Sequence, residues 1–234
     1  NNGYVTNSIC GPSRAVFLTG KYSHKNGFKD NENSRFDGSQ DSFVKQLKNS
    51  GYQTAWIGKW HLETQPQGFD FWQILPGQGQ YYNPDFHMMD GSKKQKEGYV
   101  SDVIEDVSEN WLSNRDPNKP FCLVIGHKAT HRTWIPDAQD MGKYDHITFP
   151  LPHNFYDNYT NREAAKVQDM TISKTMQMGY DLKMFGTENE ANKEGTIMRM
   201  NPEQRQKFDA YYGAVNADLK SKNLSGKELI EWKY

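Results

Sequence analysis

Cysteine is scarce: the 234-residue chain holds two, Cys10 and Cys122. Two cysteines in unlike surroundings exclude a disulfide-dense scaffold and a cysteine-rich zinc module. Long apolar runs are missing too. None approaches the ~18 residues that cross a bilayer as a helix, so no transmembrane segment is expected. Neither sign of charge dominates. The 28 Lys and Arg against 29 Asp and Glu leave a formal net charge of −1. A globally basic nucleic-acid binder is therefore not indicated, and no nucleic-acid partner is expected. Hydrophobic residues are few as well, at 35 %, with a mean hydropathy of −0.94. Disorder does not follow, because six Trp, 13 Tyr and 12 Phe are more aromatics than a disordered chain carries.

What is present has an order. The length suits one large domain or two small ones. The β-branched stretch Val5 to Ile9 reads as a strand end, and Cys10-Gly11-Pro12 opens a helix through Leu18 with Gly20 as its stop. Gly27 to Gly38 reads as a surface loop. Phe43, Val44 and Leu47 mark a short helix capped by Asp41 or Ser42. Tyr52 to Ile57 reads as a strand, and 63–98 as a long irregular region. Tyr99 to Leu112 has helical apolar spacing. Pro120 to Ile125 reads as a strand buried on both faces, with Cys122 in the core. From about residue 143 to 234 the pattern turns helical and loop-rich, with an Asn/Glu/Lys-rich loop near 186–196. A helix from about Ser225 runs to the last residue, so the chain reads as part of a longer protein. Its start shows no signal peptide.

Helices alternating with apolar strands predict an α/β fold with a largely parallel central sheet flanked by helices. The polar segments at Cys10, Lys59–His61 and His127–His131 each follow a strand. Ligands of open α/β sheets bind at the carboxyl ends of strands, so the three segments are expected at one crevice.

Cys10-Gly11-Pro12-Ser13-Arg14 carries the sharpest chemistry. A thiol just before a helix start sits in the positive end of the helix field, where anions are stabilised. Arg14 lies about one turn on and reaches the same space. A nucleophile, a helix N-terminus and an Arg suit a tetrahedral oxyanion. Spacing alone equally allows a structural Cys beside a surface Arg.

The segment Cys10-Gly11-Pro12-Ser13-Arg14, followed by Leu18-Thr19-Gly20, resembles the signature of the type I sulfatases. Gly51-Tyr52-Gln53-Thr54 through Gly58-Lys59-Trp60-His61 is similar to a second block of that family. His127-Lys128-Ala129-Thr130-His131-Arg132-Thr133-Trp134 is similar to a segment of its glycan-sulfatase branch, which includes N-acetylglucosamine-6-sulfatase-like members. Thr130 stands where that branch has Pro.

The resemblance implies an alkaline-phosphatase-like fold, present here in part over 1–234, with 143–234 as a branch-specific helical and loop region. It implies a sulfuric ester hydrolase acting on a sulfated glycan or sulfated amino sugar. Cys10 would be oxidised to formylglycine by a formylglycine-generating or anaerobic maturation enzyme, and would be both nucleophile and metal ligand. Arg14 would hold the hydrate, Lys59 the sulfate oxygens, and His61 would take the proton when sulfate leaves. His131 would protonate the leaving oxygen. Lys128, His127 and Trp134 would contact sulfate or sugar. Calcium would be the cation, with most ligands outside this chain. The location implied is periplasmic, extracellular or lysosomal. Two rivals remain at this level: a phosphonate or phosphate monoester hydrolase of the same superfamily, and a non-catalytic sulfated-glycan binder. The remaining histidines, His24, His87, His146 and His153, read as surface or packing residues, and Trp60 reads as packing.

Overall fold

Helix α1 (Cys10–Thr19) starts with Pro12 in its first turn, where a missing N–H costs nothing. It ends at Gly20, whose φ of +65° needs a residue without Cβ and whose N–H caps the Val16 carbonyl at 2.8 Å. In this computed structural model, residues 2–184 and 195–234 are described. They fall into two compact units, 1–130 and 131–234.

The first unit is built on a five-stranded sheet. Strand β1 (Gln53–Lys59) is central and buried from Thr54 onward. Strands β2 (Phe71–Leu75) and β5 (Phe121–Gly126) flank it, both parallel to it, with Ala55 opposite Phe71 and Leu123. Strands β3 (Asp85–Met88) and β4 (Lys93–Gln95) add an antiparallel edge, giving the order β4-β3-β2-β1-β5. Parallel neighbours need crossovers, and helix α4 (Val100–Asn114) lies in the connection that returns the chain to β5. Its Val100, Val103, Ile104 and Val107 form one buried stripe. Helices α2 (Ser23–Asn26) and α3 (Phe43–Asn49) precede β1, and the Ser42 side chain caps α3 at the Lys45 N–H.

One core lies under α1 and α3. Ala15 and Leu18 of α1 and Val44 of α3 pack with Trp56, Trp72 and Ile74, which alternate along β1 and β2 and so share a face. Trp60 joins them, edge-on to Trp56 at 5.0 Å and to Phe36 and Phe69 at 6.2 Å. Each such buried aromatic contributes roughly 1.5–3 kcal/mol, and this cluster anchors the end of β1.

Several expectations are corrected. Residues 63–98 are not irregular throughout, since β2, β3 and β4 lie there. Val5 to Ile9 forms no strand, because no described strand pairs with it. Strand β5 is not buried on both faces: Phe121 and Ile125, which share a face, stay 41 % and 42 % exposed. Cys122 is half-buried rather than core. The loop Gly27 to Gly38 is no mere surface loop, because Phe28 and Phe36 are buried in the core.

The second unit is helical among its described residues, with α5 (Glu163–Val167), α6 (Gly195–Met198), α7 (Pro202–Lys222) and α8 (Gly226–Lys233). Asn201 and Gln204 form a reciprocal capping box at the start of α7. The loop expected near 186–196 lies outside the described residues, apart from the start of α6. No helix among the described residues is long and apolar enough to cross a membrane.

Candidate active site

Cys10 is the first helical residue of α1. Its Sγ accepts a hydrogen bond from Asn31 Nδ2 at 3.1 Å, and His61 Nδ1 lies 3.2 Å away. Asn31 is locked in turn, since its Oδ1 accepts the Gly11 N–H at 3.0 Å. That approach requires glycine. A Cβ on Gly11 would stand 2.6 Å from Phe28 Cε1, 2.7 Å from Asn31 Oδ1 and 3.0 Å from the His61 carbonyl. Arg14 Nη1 donates to the Cys10 carbonyl at 3.2 Å, which places the guanidinium beside position 10 as helical spacing predicts. Burial pushes the Cys10 thiol up, but the Lys59 charge and the bonds from Asn31, Gln78 and the Gly11 N–H outweigh it, so the thiol lies below its ordinary range.

Lys59 and His61 reach this thiol because of Gly58. With φ +96°, Gly58 brings β1 so close to β5 that an added Cβ would stand 2.2 Å from the Gly126 carbonyl oxygen. The reciprocal Cβ on Gly126 would meet the Lys59 oxygen at 2.4 Å. Trp56 Nε1 then fixes the Lys59 carbonyl at 3.1 Å, and Trp60 Nε1 fixes that of Thr64 at 2.6 Å. Between these anchors His61 sits at φ +54°, an uncommon backbone for a non-glycine residue. Lys59 and His61 are both buried. Burial lowers the Lys59 ammonium pKa, Cys10 opposes that, and Arg14 adds to it.

Two residues at this site were not foreseen. Asn31 belongs to a segment read as surface loop. Gln78 belongs to the region read as irregular, in the turn Pro76-Gly77-Gln78-Gly79 that follows β2. Its Oε1 accepts from Lys59 Nζ, its Nε2 lies 3.4 Å from His61 Nε2, and the same Nε2 lies 3.9 Å from Cys10 Sγ. The available signal was Phe71 to Leu75, an aromatic and apolar run whose following turn is a strand-end loop.

Lys128 is buried, donates to the Gln78 carbonyl at 3.2 Å and lies 4.7 Å from the Tyr81 ring centre. Burial and the Lys59 charge push its ammonium down to about 8. Six of the eight foreseen residues belong to the first unit: Cys10, Arg14, Lys59, His61 and Lys128 are tied into one network, while His127 is exposed beside it in sequence. His131 and Trp134 fall in the second unit. There Arg132, in the same segment, grips the buried Asp181 with Nε and Nη2 at 2.6 and 2.7 Å. Lys183 Nζ, also buried, donates to the carbonyls of Thr133, Trp134 and Asp181, which pins the backbone that carries Trp134.

The donors around Cys10 are a thiol, two amides, an imidazole and two cations. Calcium takes six to eight oxygen ligands, several of them carboxylate. No group of three His, Cys, Asp or Glu among the described residues is placed to hold a metal. This set does not by itself fit calcium. It fits a tetrahedral anion, with cations, amide donors and a helix N-terminus around the nucleophile position.

The chain matches the Sulfatase family profile over residues 1–221. It is 46 % identical, along its whole length, to the N-acetylglucosamine-6-O-sulfatase of Bacteroides thetaiotaomicron, of which it covers 43 %. It is 28 % identical over 69 % of its length to the human N-acetylglucosamine-6-sulfatase, of which it covers 34 %. It superposes with a TM-score of 0.92 and 45 % identity on the structure of BT4656 in complex with its substrate D-glucosamine-2-N,6-O-disulfate, covering all of this chain and 49 % of that one. The chain thus spans less than half the length of these relatives. On the profile match and the full-length identity together, this chain belongs to the sulfatase family.

Proposed function

We propose that the protein carrying this chain hydrolyses a sulfate ester on a sulfated amino sugar, using a formylglycine made from Cys10. The convergence of Arg14, Lys59 and His61 on position 10 at the start of α1 carries this reading. The substrate class is drawn from what the relatives' names state.

A thiol suits this task poorly, because a thiosulfate-like adduct has no easy release. An aldehyde hydrate has two hydroxyls. One hydroxyl, its proton given up to solvent in the field of Lys59 and Arg14, attacks sulfur through its oxygen, and the sulfur bond to the sugar oxygen breaks. The leaving oxygen takes a proton from an acid, a role assigned to His131 on its motif alone. His61 then takes the proton of the second hydroxyl, the carbon–oxygen bond to sulfate breaks, and the aldehyde reforms. Lys59 and Arg14 face the charge that builds on the sulfate oxygens and the hydrate. Lys128 adds a second buried cation on the Lys59 side, and His127 and Trp134 are sugar contacts in this reading. Export to the periplasm, cell exterior or lysosome accompanies the proposal by family resemblance.

The test is co-expression of the full coding sequence with a maturation enzyme, followed by intact-mass spectrometry and turnover assays. Conversion replaces the sulfur and two hydrogens of Cys10 by oxygen. The reading expects that mass loss, and faster release from 6-O-sulfated N-acetylglucosamine than from a matched phosphate ester. Full conversion with no sulfate release from any sulfated amino sugar would favour the glycan-binder reading. Preference for the phosphate ester would favour the phosphohydrolase.

A further inference from the structure

We propose that a cleft beside His61, rimmed by Arg35, Glu63, Gln65 and His87, binds a neutral sugar ring that neighbours the sulfated one in the glycan chain. The inference rests on the sulfatase reading for its substrate, but not for the cleft itself.

The cleft lies within the first unit and has a volume of about 350 Å³. That is the lower end of the range for small-molecule sites, and it suits one ring rather than a chain. His61 forms part of its wall, so the cleft is continuous with the candidate active site. Its floor is apolar and rigid. Trp60, Ile74 and Leu75 are buried there, and Pro76 has a fixed φ.

The rim is held by the same rigid parts. Arg35 precedes Phe36, whose buried ring stands edge-on to Trp60. The Phe36 N–H donates to the Leu62 carbonyl at 3.1 Å, and Thr64 Oγ1 donates to the Phe36 carbonyl at 3.0 Å. Arg35 is thus laced to the segment that carries Glu63 and Gln65. His87 stands on β3, opposite Ile74 of β2. His61 and Glu63 both hold a left-handed backbone, with φ of +54° and +58°. Non-glycine residues adopt it rarely, and such positions cluster at ligand sites.

The chemistry of the rim selects the occupant. All four rim side chains are exposed, and among the described residues none of them has a hydrogen-bond or ion-pair partner. Arg35 and Glu63 line one cleft without pairing with each other. A guanidinium only donates and a carboxylate only accepts, whereas a hydroxyl does both. Adjacent hydroxyls on one sugar ring therefore satisfy Arg35 and Glu63 together, and the apolar floor takes the C–H face of the ring. The formal charges of Arg35 and Glu63 cancel, so the rim gives no net pull on a second sulfate or a carboxylate.

The test compares substrates of the matured protein, made from its full coding sequence. One is 6-O-sulfated N-acetylglucosamine alone. The others join that residue to a neutral hexose through O1 or through O4. At least one disaccharide should show a KM about tenfold below that of the monosaccharide at similar kcat, because the added contacts are binding made before the chemistry. Arg35→Ala and Glu63→Gln should each raise that KM about tenfold, well beyond their effect on the monosaccharide. Disaccharides that show no lower KM than the monosaccharide overturn the proposal. So does a variant with an unchanged near-UV spectrum that weakens both substrates alike, which marks the rim as structural. Tighter binding of a disaccharide carrying a uronic acid in place of the hexose overturns the neutral occupant. If no form releases sulfate, the sulfatase reading fails by itself. Calorimetry with the sulfated disaccharides and the protein with unmodified Cys10 then decides the cleft: tighter binding than the monosaccharide, lost in Arg35→Ala, upholds it, and equal affinity overturns it.

Discussion

Gly11→Ala sets two physical effects of opposite sign against each other. Gly11 is the second residue of α1, and alanine is a better helix former by up to ~1 kcal/mol. Helix propensity alone predicts stabilisation. The surroundings predict the reverse. The new Cβ stands 2.6 Å from a ring carbon of Phe28, 2.7 Å from Asn31 Oδ1 and 3.0 Å from the His61 carbonyl. Phe28 is fully buried and has nowhere to withdraw. Overpacking of this kind costs about 1–3 kcal/mol. Displacing Asn31 also weakens its bond from the Gly11 N–H, worth about 0.5–1.5 kcal/mol. Net destabilisation of about 2 kcal/mol is therefore expected, read as a lower urea midpoint at unchanged m-value. The same variant should slow alkylation of Cys10, whose Sγ loses the Asn31 donor at 3.1 Å. A variant more stable than wild type by about 1 kcal/mol would refute the close-approach argument and leave propensity in command.

Other expectations follow from the same structure. At pH 8, iodoacetamide should label unconverted Cys10 well before Cys122, because both are half-buried but the Lys59 charge and three donors lower one thiol while burial alone raises the other. Peptide mass mapping reads the order, and Lys59→Met should shrink the difference. Burial lowers the Lys183 ammonium to about 8, below its ordinary value of 10.5, and Asp181 opposes this. The unfolded chain then binds more protons between those values, so stability is flat below about pH 8 and rises toward 10.5, by at most ~3 kcal/mol. Thermal melts across that range should show the rise, and Lys183→Met should remove its share and leave that of Lys128, whose ammonium is also lowered to about 8. Arg132→Ala leaves the buried Asp181 carboxylate without its two charged donors, and should cost about 2 kcal/mol given the part-exposure of the arginine. Arg132→Ala together with Asp181→Ala should recover part of that loss, and a purely additive double variant would show that the pair does not couple.

The parts of this fold that could be read from the sequence are those in which one local rule acts alone. Gly20 stops α1 because nothing nearby competes with its left-handed turn. Ser42 caps α3, and the Val100 to Val107 stripe buries itself along α4. The strands were harder. Phe71 to Leu75 carried strand chemistry, but the Gly and Pro around it hid a segment whose existence depends on pairing with β1. Strand β5 failed in the other direction. Its apolar run matches a two-sided strand, yet burial of a face is decided by what packs over it, and the face that carries Phe121 and Ile125 is left part-exposed.

The site divides along the same line. Cys10 and Arg14 stood one helical turn apart at a helix start and Lys59 and His61 at a strand end, and the resemblance of these segments to sulfatase motifs is what singled them out. Asn31 and Gln78 were not visible, because each matters through contacts 17 or more residues away, to Cys10 and Gly11 for one and to Lys59, His61 and Lys128 for the other. Amides give a sequence little to notice, since they carry no charge and are common in loops. In a pocket of cations and one thiol they gain weight for that very reason. A carboxylate in place of Gln78 would compete with an anionic substrate for Lys59, and an apolar side chain would leave the ammonium without a partner in a buried place. An amide accepts from Lys59 without adding charge and donates with its other end to His61. The electrostatics of an anion site therefore favour neutral partners for its lysines, and it is among such residues, rather than among further charges, that the remaining control of this site is to be sought.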